Sequence, residues 1–207
     1  MYCEKDNSMK PLLETILSRK LHDPKVVIYN WLDEHEIKNY TINDRGEIDV
    51  DGDVNLRKKG LKEFPSFIQF DVVKGSFICA FNQLTSLRGC PQVVKKSFYC
   101  NSNELTSLEG APIEVGRSFL CFGNKLTSLE GSPENVDGDF ICTFNKLTTL
   151  EGAPKEVSGD FLCHNNKLTS LKGSPNKVEG CFNCINNTTK FTEDDVKNVC
   201  IVKNIIV

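Results

Sequence analysis

From Phe77 onward the apolar positions return at a fixed interval. Phe77, Phe98, Phe119, Phe140, Phe161 and Phe182 lie 21 residues apart, and Cys79, Cys100, Cys121, Cys142, Cys163 and Cys184 repeat in step with them. The polar column Asn82, Asn103, Asn124, Asn145, Asn166 and Asn187 keeps the same period. Further columns run from Leu84 to Leu168, Leu87 to Leu171, Gly89 to Gly173, Pro91 to Pro175 and Val94 to Val178. One unit reads F-x-C-x-x-N-x-L-T-S-L-x-G-x-P-x-x-V, followed by three variable residues. A period held without insertion predicts a stack of similar coils, each packed on its neighbours. Upstream, Val54, Leu56, Leu61 and Phe64 read as a degraded first coil, stretched to 23 residues before Phe77.

Each column has a physical role. In F-x-C the two apolar residues share one face of a short strand, and the residue between them points the other way. Phe and Cys are therefore expected in the core. The F-x-C strands of consecutive coils are expected in one parallel sheet at a spacing of about 4.8 Å, on the order of 25 Å long. The Asn column falls where the chain leaves the strand, and its amide can satisfy backbone groups of that turn and of the next coil. Gly in the E-G-A-P segments fits a turn with positive φ, and the following Pro discourages helix. The outer wall is thus predicted to be extended.

The ends break the period. Leu12, Leu13, Ile16 and Leu17 recur at helical spacing, and Val27, Trp31 and Ile37 fall near one face of a second helix that begins at Pro24 and ends before Thr41. These helices are expected to cover the first coil. Thr192 and Asp195 resemble a capping box, with Val196 and Val199 on one face and an apolar tail, IVKNIIV, behind them. The expected organisation is an N-terminal helical cap over 1–47, the solenoid over 48–191 and a C-terminal cap over 192–207.

Composition narrows the class. With 39% hydrophobic residues in 207, the chain can bury a continuous core. A net charge of -3 gives no broad positive field for nucleic acid or an anionic membrane. The basic runs at Arg57, Lys58, Lys59 and Lys62, and at Lys95 and Lys96, are short and read as solvated faces. No apolar stretch reaches the roughly 20 residues of a membrane span, and MYCEKDNSMK carries no signal-peptide core. A cytoplasmic protein is expected, with cysteines serving as core residues rather than disulfides.

Candidate chemistry is sparse. A flat ladder of thiols gives poor disulfide geometry and does not converge on a tetrahedral metal. His35, flanked by Asp33, Glu34 and Glu36, reads as part of a hydrated helix face. Glu109, Glu130 and Glu151 form an exposed ladder in the turns. No phosphate-binding glycine loop, nucleophile elbow or H-E-x-x-H motif occurs. No catalytic residue, metal site or cofactor is expected.

What remains is the outward face of the F-x-C ladder. Between Phe and Cys stand Ile78, Tyr99, Leu120, Ile141, Leu162 and Asn183. The next two columns are Ala80, Asn101, Phe122, Thr143, His164 and Ile185, then Phe81, Ser102, Gly123, Phe144, Asn165 and Asn186. A continuous apolar stripe on an open sheet face is expected to be an interface, anchored by aromatic residues. The candidate protein-binding residues are Ile78, Phe81, Tyr99, Leu120, Phe122, Ile141, Phe144, Leu162 and His164. Alternatively, the chain's own terminal segments cover the stripe, or it simply stiffens the sheet.

The unit resembles the leucine-rich repeat, L-x-L-x-x-N-x-L, with Phe and Cys in the first two leucine slots, over residues 50 to 191. LTSLEGAP and LTSLEGSP, with the flanks NYTINDRGEIDVDGDVNL and FTEDDVKNVC, are similar to a leucine-rich repeat family of tailed bacteriophages and some bacteria. That resemblance implies a leucine-rich solenoid of phage or bacterial origin and carries over no catalytic residue. Bacterial effectors that join such repeats to a cysteine-dependent ubiquitin ligase are a further comparison. The roughly 16 residues after the last repeat are not expected to hold that domain. The function expected is a non-enzymatic module binding a bacterial host or defence protein. A self-assembling structural role is the alternative. A solenoid enzyme using Asp139 and Asp160, the acids beside the Phe column, comes third.

Overall fold

The computed structural model describes residues 24–207. The chain divides into two compact units, Met1–Glu36 and Ile37–Val207. The helix expected around Leu12, Leu13, Ile16 and Leu17 lies outside the described residues. In the first unit, helix α1 spans Pro24–Glu34, with proline at the start, where its missing N–H costs nothing. The chain leaves the helix as Glu36 turns left-handed at φ 59. Ile28, Trp31 and Leu32 form its buried side, whereas Val27 is exposed. Of the expected face, Trp31 lies on the buried side and Val27 does not, while Ile37, also buried, falls beyond the left-handed turn that ends the helix. His35 stacks on Trp31 with ring centroids 4.0 Å apart, and its Nδ1 lies 2.8 Å from the Trp31 carbonyl.

The second unit is a β-solenoid. Its strands are β1 (Tyr40–Ile42), β2 (Ile48–Val50), β3 (Val54–Asn55), β4 (Phe70–Val73), β5 (Phe77–Ile78), β6 (Val93–Val94), β7 (Phe98–Tyr99) and β8 (Glu114–Val115). They continue as β9 (Phe119–Leu120), β10 (Asn135–Val136), β11 (Phe140–Ile141), β12 (Glu156–Val157), β13 (Phe161–Leu162), β14 (Lys177–Asn183) and β15 (Ile201–Ile206), with the short helix α2 at Glu193–Lys197. Odd strands from β3 to β13 form one parallel ladder and even strands from β2 to β12 a second, and β14 belongs to both. Sequence reading anticipated the first ladder only. The second arises at the Val column, where an inward β-branched residue favours extended backbone.

The two ladders are hydrogen-bonded in opposite senses. On the F-x-C side, Cys79 donates its N–H forward to the Tyr99 carbonyl (2.9 Å) and Phe81 to Asn101 (3.0 Å). On the Val side, Lys95 donates back to Val73 and Gly116 back to Val94, both at 2.9 Å. Both ladders therefore tie each coil to its neighbours rather than to itself.

Inside, the Phe column stacks with centroid separations from 5.1 to 5.9 Å between Phe77 and Phe182, and every ring is fully buried. Each such pair adds roughly 0.5–1.5 kcal/mol beyond area burial. The Asn column joins three coil segments at once. Asn124 Nδ2 donates to the carbonyls of Cys100 (3.1 Å) and Cys121 (3.0 Å), while its Oδ1 accepts the Leu105 N–H at 3.1 Å.

The corner between the ladders carries a second polar column. Asp139 Oδ1 accepts the Asp160 N–H (2.9 Å), and Asp160 Oδ1 accepts the Cys181 N–H (2.8 Å). This leaves no space above each Asp: a Cβ on Gly159 would lie 2.3 Å from Asp139 Oδ1. At the outer turn, Gly152 has φ 85, and a Cβ there would lie 2.2 Å from the Glu130 nitrogen. Both a left-handed bend and close stacking therefore demand glycine.

The ends close with strands. The second ladder is capped by β1, paired antiparallel with β2, so the sheet begins before residue 48. At the other end Thr192 forms the anticipated capping box with Asp195, but α2 is five residues long. Val196 is buried and Val199 exposed. The tail IVKNIIV forms β15, parallel to β14 along both ladders. Backbone pairing, rather than a helix face, carries the chain across the last coil. No helix among the described residues is long and apolar enough to cross a membrane.

Candidate functional site

Parallel pairing in strict register brings the residues between Phe and Cys together. Ile78 pairs with Tyr99, Tyr99 with Leu120, Leu120 with Ile141 and Ile141 with Leu162. With Phe and Cys turned inward, these five side chains form one outward row, each half-buried by its neighbours. The next column is more recessed. Ala80, Asn101 and Thr143 are buried, while Phe122 and His164 are half-buried. Small residues in this column sink below the larger ones beside them.

The third column has a property the sequence reading missed. Phe81, Ser102, Gly123, Phe144, Asn165 and Asn186 all have positive φ, between 53 and 65, and Lys58 takes φ 57 in the first coil. Glycine, asparagine and small polar residues tolerate that conformation, whereas a bulky aromatic there is a true outlier, at a cost on the order of 1–2 kcal/mol. Phe81 and Phe144 are also 41% and 60% exposed, so burial does not offset the strain. Strained, exposed aromatics are features that folding alone does not require.

The two rings sit in different surroundings. The Arg57 guanidinium lies 4.4 Å from the Phe81 centroid and Lys58 Nζ 5.8 Å from it, a cation–π cluster at the N-terminal end of the face. Phe144 meets His164 edge-on at 6.1 Å. His164 Nδ1 is buried without a hydrogen-bond partner, and burial pushes the imidazole pKa below its ordinary value. The ring is therefore neutral at pH 7. Three coil steps of about 4.8 Å put Phe81 and Phe144 roughly 14 Å apart along the ladder.

The remaining candidates have structural employment. The column thiols are buried and unpaired, and Cys79 Sγ donates to the Tyr99 carbonyl at 3.4 Å. Burial first, and neighbouring thiols second, push Cys121 and Cys163 well above the ordinary thiol range. These are not thiolates at neutral pH. Cys181 and Cys184 stand in C-x-x-C spacing in the last coil, which corrects the sequence reading that no C-x-x-C pair exists. Burial raises both thiols, with Asp160 adding to Cys181 and Asp195 to Cys184, the reverse of the lowered thiol that redox chemistry uses. Asp139 and Asp160 spend a carboxylate oxygen each on the corner backbone. Among the described residues no cluster of three or more His, Cys, Asp or Glu is placed to hold a metal.

Charges on the turns are paired across coils. Lys95 meets Glu114 and Lys172 meets Glu151, each at 2.7 Å and exposed, so each contributes little. An open cavity of about 520 Å³ lies among the turns, lined by polar residues including Gln69, Thr85, Arg88, Gln92 and Glu109, and none of the candidate face residues borders it.

These features define a β-solenoid of 21-residue turns with a partly apolar, aromatic-edged outer face. Compared with protein-family models, curated proteins and solved structures, the chain matches none of them.

The left-handed column was readable in principle. Gly123, Asn165 and Asn186 are residues that favour positive φ, and strict periodicity transfers their conformation to Phe81 and Phe144. The Arg57 contact carried no such signal, because it depends on the irregular first coil.

Proposed function

We propose that this chain is a non-enzymatic protein-binding module whose docking face is the outward side of the F-x-C ladder. The observation that carries the reading is the pair Phe81 and Phe144, held exposed in a left-handed conformation beside the row Ile78, Tyr99, Leu120, Ile141 and Leu162. Exposed aromatics on a rigid scaffold lose little side-chain entropy on binding and serve as anchors. Phe122 and His164 lie between row and anchors and complete the surface. The row presents a continuous apolar strip to a partner.

On the leucine-rich resemblance of the repeat unit, the chain is further proposed to be phage-type and to act in the cytoplasm of a bacterial host. There it would inhibit or redirect a host or defence protein. The test is affinity capture from bacterial lysate with wild type and with the Leu120→Asp, Ile141→Asp double variant, the eluates read by mass spectrometry. A protein retained by wild type and lost with a folded double variant names the partner. Recovery of the same proteins by both would remove this face from the binding reaction.

A further inference from the structure

The C-terminal end of the solenoid is built differently from the N-terminal end of its second ladder. There, β2 is covered by the antiparallel strand β1. At the C-terminal end the last strand, β15, pairs with β14 on one side and with no strand on its other side among the described residues. Ile201 donates its N–H to the Asn176 carbonyl, and Ile206 accepts the Cys184 N–H, so both turn their backbone groups toward β14. Alternation along a strand then turns the groups of Val202 and Ile205 outward. The outward groups of Val202 and Ile205, on a strand of six residues, are a template for another strand.

Its side chains are equally unfinished. Ile201 is 75% exposed and Ile206 47%, and Val199 and Val207 are exposed at the same end. Val202 and Ile205 continue the inward Val and Phe columns, yet remain only half-buried. Beside the strand an open cavity of about 390 Å³ is bordered by Cys184, Phe191 and Val207.

We infer that β15 is the interface for a second copy of this chain, paired antiparallel with the partner's β15 about a two-fold axis. The strand is self-complementary in that sense. Set against its own reverse, Ile201 faces Ile206, Val202 faces Ile205 and Lys203 faces Asn204, so no like charges meet. The corner that β15 turns between the two ladders lies at the middle of the strand. An axis bisecting that corner exchanges the two arms and sets core against core. The second copy's exposed residue 201 then lies next to Ile206 and Val207, at the mouth of the cavity. The single cation does not block this: Lys203 lies close enough to Glu179 to act on its carboxyl, second to the ion pair Glu179 makes with Lys177.

The experiment is sedimentation equilibrium of the full chain over roughly 1 to 100 µM, for wild type, Ile201→Lys, Ile206→Glu and the double variant Ile201→Lys, Ile206→Glu. Both positions are exposed, so the single changes leave the fold intact, as circular dichroism will check. Wild type is expected to reach twice the chain mass. Each single variant is expected to weaken association at least tenfold. The double variant is expected to restore it, because the lysine introduced at position 201 of one copy then faces the glutamate introduced at position 206 of the other. A wild type that stays monomeric, a dimer indifferent to the single changes, or a loss that the double variant does not rescue would each overturn the pairing. The Leu120→Asp, Ile141→Asp variant is expected to dimerise as wild type does, so this result stands apart from the docking-face assignment.

Discussion

Replacing Asn124 by Leu probes how the coils are held together. The substitution keeps volume nearly constant and removes four hydrogen bonds at a buried position, the longest of them to the Phe122 carbonyl at 3.5 Å. The losses are not equal. The Cys100 carbonyl retains the amide of Asn103, and the Cys121 carbonyl retains that of Asn145. The Leu105 N–H has Asn124 Oδ1 as its side-chain acceptor and is left buried without it. A stranded buried N–H costs about 1–3 kcal/mol, and two half-satisfied carbonyls add about 1 kcal/mol together. A total near 3 kcal/mol lowers the melting temperature of a unit this size by about 6–12 °C.

Thermal unfolding followed by circular dichroism measures that shift, and hydrogen exchange at the Leu105 amide locates it. Asn124→Asp sharpens the test. It keeps the acceptor for Leu105 but turns a carboxylate toward two carbonyls, which raises its native pKa above the unfolded value near 3.9. Stability present below that value is then lost as pH rises, so the aspartate variant is expected to be worst at neutral pH and to recover on acidification. A melting temperature within about 1 °C of wild type for Asn124→Leu would refute the ladder argument.

The strained and crowded positions can be probed in the same way. Phe144→Asn places a left-handed-tolerant residue where the ring is strained; it is expected to hold or raise the melting temperature while weakening partner capture at least tenfold. A fall of more than about 2 °C would mark the ring as structural. Gly159→Ala drives a Cβ into Asp139 Oδ1, whereas at Gly123 the nearest atom would be 3.6 Å away and only the positive φ opposes alanine. Gly159→Ala is therefore expected to destabilise more, by at least about 1 kcal/mol on denaturant titration; the reverse order would contradict the corner packing. Burial raises Cys184 and Cys200 from 9.0 to about 11. The unfolded chain loses these thiol protons first, so stability is expected to hold below pH 9 and fall between about 9 and 11. A flat alkaline profile would count against the buried thiol ladder.

Much of the solenoid was legible because periodicity reports on neighbours that are always the same. The Phe, Cys, Asn and Gly columns each meet their own copies one turn away, so the chain displays its tertiary contacts as spacing. The second ladder was less visible, since the Val column places one inward residue per turn and no period-two signal. The ends lie beyond that logic. Val199 and the IVKNIIV tail carry no repeat partner, and whether an apolar run closes a coil as helix or strand depends on the free edge of β14. For the candidate face, the apolar row at Ile78, Tyr99, Leu120, Ile141 and Leu162 could be read directly from F-x-C alternation. The left-handed setting of Phe81 and Phe144 required comparing their column with Gly123 and Asn165. The recess at Ala80, Asn101 and Thr143 arises from relative side-chain size across coils, which no single repeat reveals.

The docking face is tested most directly by calorimetric titration of the captured partner into purified wild type and into the Leu120→Asp, Ile141→Asp variant, with melting curves recorded on both. The assignment predicts affinity weakened by at least about 100-fold, roughly 2.7 kcal/mol, with the melting temperature of the variant preserved. Unchanged affinity in a folded variant would contradict it, and a variant that unfolds would place those side chains in the core instead.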